Sequence, residues 1–263
     1  MSAASTYLAQ AIIGHVLRSQ AYTPPAGIYL ALAVDSLTDD NDTTKELSAS
    51  WYARKQIASW AAPTGSGMST SNSNAVTFDR VTGSAVTVPN WGLYDAASGG
   101  NLIAHGAFDA AKVANVNNVL RVGANELVIT FGGMFSVHLA QALINLIFRS
   151  VAYTPPSPRL ALYTADPTAS DVTANEVSAA WYARQAISAW TAPTGTGNSS
   201  ANSAAFAFPA VTGVANVPVT HWGLKDAATL GNLLFSKALP TTETLNPADI
   251  FAGDPGDLVV QIL

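Results

Sequence analysis

Apolar residues lie three to five apart in two stretches of this chain and alternate with polar ones through much of the rest. The first stretch carries Leu8, Ile12, Ile13, Val16 and Leu17; the second carries Leu139, Leu143, Ile144, Ile147 and Phe148. That spacing gathers each set on one face of an α-helix. Ser5 and Ser136 stand just ahead, where a hydroxyl accepts from the free N–H groups of the first turn. The prolines of Tyr22-Thr23-Pro24-Pro25 and Tyr153-Thr154-Pro155-Pro156 predict the helix ends. Proline lacks a donor and pushes the residue before it out of the helical region.

Downstream of each helix the period falls to two, as on a half-buried strand. Strands are predicted at 28–32 and 159–163, 53–60 and 183–190, 75–78 and 205–208, 86–94 and 217–225, 101–108 and 232–239, and 126–131 and 257–262. Turn clusters separate them, among them Pro63-Thr64-Gly65-Ser66-Gly67 and Pro193-Thr194-Gly195-Thr196-Gly197. One helix followed by several short strands, with no later β-α alternation, predicts a β-sandwich and fits a doubly wound nucleotide fold poorly.

The paired ranges are one unit written twice. Leu8-Ala9-Gln10-Ala11 recurs as Leu139-Ala140-Gln141-Ala142, Trp51-Tyr52-Ala53-Arg54 as Trp181-Tyr182-Ala183-Arg184, and Trp91-Gly92-Leu93 as Trp222-Gly223-Leu224. A fixed period over the whole chain marks a repeat architecture. The expectation is a mainly β protein: two tandem antiparallel β-sandwich domains, 1–132 and 133–263, each with one N-terminal α-helix. Each repeat is long enough to bury a core of its own. Leu263 aligns with Gly132, which leaves Gly132-Gly133 as the only linker and predicts that the domains pack side by side.

Composition narrows the function. Only 11% of residues are charged while 49% are hydrophobic, so the surface must be built from Ser, Thr, Asn, Ala and Gly. Such a surface suits a permanent assembly or a weakly interacting extracellular protein better than a crowded cytosolic enzyme. The net charge of −5 is shared between the repeats, and neither carries the positive surface that neutralises phosphate, so nucleic-acid and acidic-membrane partners are not expected. Cysteine is absent, which excludes disulfides and thiolate metal sites. Met1-Ser2-Ala3-Ala4-Ser5 lacks a basic leader, and the apolar run 139–152 is broken by Asn145 and Arg149 and too short to span a bilayer. The expected origin is a cytoplasm, without a secretion signal.

Chemistry is sparse. His15, His105, His138 and His221 align with Leu146, with the region of Phe235 and Ser236, with Tyr7 and with Asn90, so no histidine is duplicated. None has a metal-ligand spacing to another donor. The charged residues kept in both repeats are Arg18 with Arg149, Glu46 with Glu176, Arg54 with Arg184, and Asp95 with Asp226. A glycosidase-like reaction needs two carboxylates at a set separation, and only one lies near each arginine. Glu46–Arg54 and Glu176–Arg184 read as salt bridges between strands, and Asp95 and Asp226 as caps of a hairpin turn rather than calcium ligands. The Pro-Thr-Gly-x-Gly loops lack the Lys and following helix of a phosphate loop. No catalytic, cofactor-binding or metal residue is expected.

The tryptophans Trp51, Trp60, Trp91, Trp181, Trp190 and Trp222, with Tyr52 and Tyr182, are candidates for core or subunit contacts, and alternatively for stacking on sugars. Trp51 and Trp60 are nine apart and would lie on opposite faces of one continuous strand, so one of them would face a partner.

Several of these words together resemble a known family. They are Tyr-Thr-Pro-Pro after the helix, Leu160 to Thr168, Glu176 to Ser178, Tyr182 to Gln185, and the Trp-Gly-Leu hairpin with its Asp-Ala-Ala and Gly-Asn-Leu. The pattern is similar to small tailed-bacteriophage virion proteins, the tail-fibre or minor tail proteins of the Gp80-like kind. It covers both repeats, more closely the second. The first departs at Ala33-Val34-Asp35-Ser36-Leu37-Thr38 and inserts Asp39-Asp40-Asn41-Asp42. The resemblance implies a non-enzymatic structural protein on a virion, in the tail or its fibres. Alternatives are a capsid decoration (cement) protein and a glycan-binding receptor-recognition module. The expected partners are other virion proteins and further copies of this chain, with a host-surface glycan as a possible ligand; no cofactor is expected.

Overall fold

Strand β1 (Ser2–Ala4) leads into helix α1 (Thr6–Arg18), followed by β2 (Tyr29–Ala33), β3 (Lys55–Gln56), β4 (Ser69–Ser71) and β5 (Val76–Arg80). The first repeat closes with β6 (Val86–Tyr94), β7 (Leu102–Ala114), β8 (Val119–Val122) and β9 (Val128–Thr130). The second repeat carries α2 (Val137–Arg149), β10 (Arg159–Tyr163), β11 (Gln185–Ala186), β12 (Ser199–Ala201) and β13 (Phe206–Ala207). It ends with β14 (Val217–Lys225), β15 (Leu233–Leu245), β16 (Ala252–Gly253) and β17 (Val259–Gln261). These elements come from a computed structural model that describes residues 2–155, 157–213 and 216–262. Pro156 and Leu263, which belong to the sequence reading above, lie outside the described residues. The chain is mainly β, in two similar halves with one helix each.

Both helices start as their sequences predict. The Ser5 and Ser136 hydroxyl oxygens accept from the Leu8 and Leu139 N–H groups, each at 3.1 Å. The same hydroxyls donate to the carbonyls of Leu102 and Leu233, which ties each cap to its own sheet. The helix ends differ from expectation. Ser19 (φ +52°) and Ser150 (φ +54°) turn left-handed, and the N–H groups of Gln20 and Val151 close back on the carbonyls of Gly14 and Asn145. Each helix is therefore finished five residues before its first proline. The left-handed residue reverses the chain, and the prolines only keep the next segment extended.

The main sheet of the first repeat has the order β1-β7-β6-β2-β3, and that of the second β11-β10-β14-β15. All pairings are antiparallel, with Trp91 opposite Leu32 and Trp222 opposite Leu162. The predicted strands 53–60 and 183–190 shrink to two residues each, with a single bridge from Trp60 to Asn72 and from Trp190 to Asn202. Lys55 and Gln56 pair with Leu30 and Tyr29, beyond which the partner strand gives way to Pro24-Pro25-Ala26-Gly27 and the ladder runs out. Strands β7 and β15 run longer than predicted, past bulges opposite Val88/Asn90 and Val219/His221, because their distal halves are exposed and carry no apolar alternation. Two-stranded ladders β4-β9, β5-β8, β12-β17 and β13-β16 complete the halves. Strands β4 and β12 were not predicted, since Ser-Thr-Ser and Ser-Ser-Ala carry almost no hydrophobic signal.

The apolar core does not stop at the repeat boundary. One cluster of buried side chains joins Leu8, Ile13 and Trp91 of the first repeat to Leu143, Phe148 and Trp222 of the second. Helix α1 lies against β12 of the second repeat as well as β7 of its own, and α2 lies against β4 as well as β15. Burying a helix on two sides removes far more apolar area from water than one side would. Ser136→Ala removes both a cap and the bond to the Leu233 carbonyl. It is expected to lower stability by about 1–2 kcal/mol, read as a lower denaturant midpoint at unchanged slope in chemical unfolding.

Candidate functional site

Three of the four charged pairs common to both repeats, Glu46 with Glu176, Arg54 with Arg184 and Asp95 with Asp226, converge at one place in each half, while Arg18 and Arg149 stand at the helix ends. Glu46 bridges in backbone to Ala33 at the end of β2, and Glu176 to Tyr163 at the end of β10. Tyr52 accepts the Leu32 N–H at 3.1 Å and donates to Glu46 Oε1 at 2.7 Å. Tyr182 repeats this with the Leu162 N–H at 3.1 Å and Glu176 Oε1 at 2.8 Å. Arg54 donates through Nε and Nη2 to the two carboxylate oxygens of Glu46, at 2.8 and 2.6 Å. Arg184 does the same to Glu176, at 2.6 Å in both bonds.

The remaining guanidinium nitrogen holds a hairpin. Arg54 Nη1 donates to the carbonyls of Ala96 (3.2 Å) and Gly99 (2.6 Å), and Arg184 Nη1 to those of Ala227 (2.8 Å) and Leu230 (2.6 Å). Asp95 and Asp226 close the same hairpins from below. Each carboxylate takes the N–H of Asn101 or Asn232 at 2.6 Å and its side-chain amide at 2.8 Å. The path is continuous: strand N–H, tyrosine hydroxyl, glutamate, arginine, hairpin carbonyls.

Electrostatics favour keeping this network intact. Burial works against the Arg54 and Arg184 charges, and the bonds and charge of Glu46 and Glu176 outweigh it, so both guanidinium groups are held above their ordinary value. The Arg54 guanidinium also sits 3.4 Å over the Tyr94 ring. Of its five N–H donors, Arg54 uses four on protein acceptors, and both glutamate oxygens are occupied. A pair so engaged has little left with which to bind or protonate a substrate.

The tryptophans lie inside. No tryptophan is more than 6% exposed. Trp91 donates its indole N–H to the Ala107 carbonyl at 3.2 Å. Trp51 and Trp181 pack edge-on to Tyr52 and Tyr182, which stack on Phe78 and Phe208. The opposite-face argument for Trp51 and Trp60 does not hold, because no continuous strand joins them. Trp60 nonetheless meets the other repeat, its ring centroid 4.7 Å from that of Phe148 on α2. With the indoles buried, the six tryptophans are not available for stacking on a sugar.

Sequence reasoning missed the residues that join the halves. Gln10 donates its amide to the carbonyls of Gly195 (2.8 Å) and Gly197 (3.1 Å), and Gln141 to those of Gly65 (2.8 Å) and Gly67 (3.0 Å). The two clasps are related by a pseudo-twofold exchange. His15 Nε2 lies 3.1 Å from the Tyr153 carbonyl, and Arg18 Nε donates to the Trp190 carbonyl at 3.3 Å. Gln10 and Gln141 stood inside the repeated Leu-Ala-Gln-Ala word, and the glycines inside the repeated Pro-Thr-Gly loop, so the signal was their joint retention. Among the described residues no cluster of three His, Cys, Asp or Glu is placed to hold a metal, and no helix is long and apolar enough to cross a membrane.

The doubled geometry agrees with a doubled family match. The model of the podophage GP4 fiber I protein gp80 family matches residues 3–130 and again residues 134–261. The chain belongs to this family. The two matches meet at the Gly132-Gly133 linker, so this Gp80 protein is a tandem duplication of the family unit. A search of curated proteins found no match. The family is one of phage fibres, and a structural role in a phage tail or fibre follows from membership.

Two outcomes test the network. Arg54→Ala takes the cation from the half-buried Glu46 carboxylate, which keeps only the Tyr52 hydroxyl, and frees the hairpin carbonyls; it is expected to cost about 2–3 kcal/mol. Lys55→Ala, which removes the partly exposed pair with Asp79, should cost within about 0.5 kcal/mol in the same denaturation assay. The second concerns alkali. Burial, reinforced by nearby acids, raises the phenols of Tyr22, Tyr52, Tyr163 and Tyr182 and pushes Tyr153 up to about 12. A group with a raised folded-state value contributes stability that is complete below its unfolded value near 10 and is lost as pH climbs through the folded one. On the alkaline side stability is therefore expected to fall above about pH 10, with phenolate absorbance and loss of β circular dichroism rising together.

Proposed function

We propose that this Gp80 protein is a non-enzymatic structural component of a podophage virion, carried on the tail or its fibres and assembled with other virion proteins and with copies of itself. Residues 1–132 and 133–263 are, in this reading, its two repeat domains, clasped into one rigid piece. The observation that carries the reading is where the shared charges go. Arg18, Arg54, Arg184, Glu46, Glu176, Asp95 and Asp226 are engaged with internal partners, in copies of the same geometry for the last six. Retention of one bonding pattern in both halves supports a role in shape and attachment. The low charge density fits a surface that meets other proteins permanently.

Mass spectrometry of purified virions tests this. The protein is expected in stoichiometric amounts that follow the tail when tails and heads are separated. Its absence from the particle overturns the reading, and recovery with the heads in hundreds of copies would make it a capsid decoration protein instead.

A further inference from the structure

The two hairpin tips held by the arginines differ at one residue. In the first repeat the tip is Gly99, with φ +62°; in the second it is Leu230, with φ +55°. A leucine in the left-handed region is strained, because its Cβ crowds the backbone. Leu230 is also 87% exposed, the most exposed large apolar side chain among the described residues. The second repeat therefore breaks two local rules where the first shows that glycine suffices. Its tip is held firmly as well: Arg184 clamps the Leu230 carbonyl, and Asp226 fixes the base. The neighbouring tip residues Ala227, Ala228, Thr229 and Gly231 carry no charge.

A strained, exposed and rigidly supported apolar knob is explained by something that covers it. The same chain offers an uncharged depression of about 360 Å³ where the repeats meet, lined by Tyr22, Pro24, Leu146, Ala152 and Tyr153. Neither surface presents an ion that would have to be desolvated on contact. We propose that Leu230 anchors self-association, the hairpin tip of one chain entering the Tyr22–Tyr153 depression of a second copy. Knob and acceptor are different surfaces, so the contact is heterologous and adds copies head to tail into a ring or filament. This gives a residue-level form to the self-assembly in the proposed function, on which it rests.

The test compares the full-length wild type with Leu230→Gly and Ala152→Arg by sedimentation equilibrium over a concentration series, with thermal unfolding in parallel. The wild type is expected to associate above its 27.2 kDa chain mass. Both variants should associate at least about tenfold more weakly. Leu230→Gly should melt at or above the wild-type temperature, since glycine relieves the strain. A wild type that stays monomeric throughout, or a Leu230→Gly protein that associates as well as the wild type, overturns the proposal. Unimpaired association of Ala152→Arg overturns the assignment of the acceptor. Virion content is a separate measurement, so failure here is distinguishable from failure of the proposed function.

Discussion

Each helix of this protein is packed on two sides, and that constraint governs the rest. One side lies on the sheet of its own repeat and the other on a short strand of the opposite repeat. The exchange is reciprocal, so α1 and α2 fill the junction and the apolar cluster runs through it without a break. Gln10 and Gln141 fix the register of this packing with paired bonds to glycine carbonyls that would otherwise need water. A two-residue linker is sufficient because the halves are joined by their core rather than by the linker.

The sheets depend on a second device, the tyrosine, glutamate and arginine relay that runs from β2 or β10 to the hairpin tips. Buried ion pairs bring little net stability over apolar packing, since desolvation offsets much of the attraction. What this one contributes is position. A hairpin tip whose carbonyls are gripped by a guanidinium cannot wander, and both repeats present a tip held in that way.

The halves are alike in bonding and unlike in detail. The first repeat places Tyr94 on β6, and the second places Tyr163 on β10; both rings lie against the bare Cα of the glycine in the Trp-Gly-Leu word, Gly92 or Gly223. Where the first repeat has Tyr94, the second has Lys225, fully buried, with its ammonium 2.9 and 2.6 Å from the two oxygens of Asp171. The same volume is filled by exchanging which strand supplies the aromatic ring. Such paired changes keep packing density while the two outer surfaces diverge.

The amino-acid sequence by itself determined the repeat, the helix starts and the long central strands, because these rest on local causes: a period, a hydroxyl ahead of an apolar face, alternation in β6 and β14. It also contained the Glu–Arg and Asp–Asn partners, which lie close in the chain. It could not announce that 53–60 would pair over only two residues, since that depends on where a partner strand begins. Nor could it place Gln10 beside Gly195, or Trp60 beside Phe148, because these contacts cross a pseudo-twofold between residues far apart in the chain. The difference is one of range: short-range forces are written residue by residue, and the junction was decided by how the two halves bury their apolar area in one shared core.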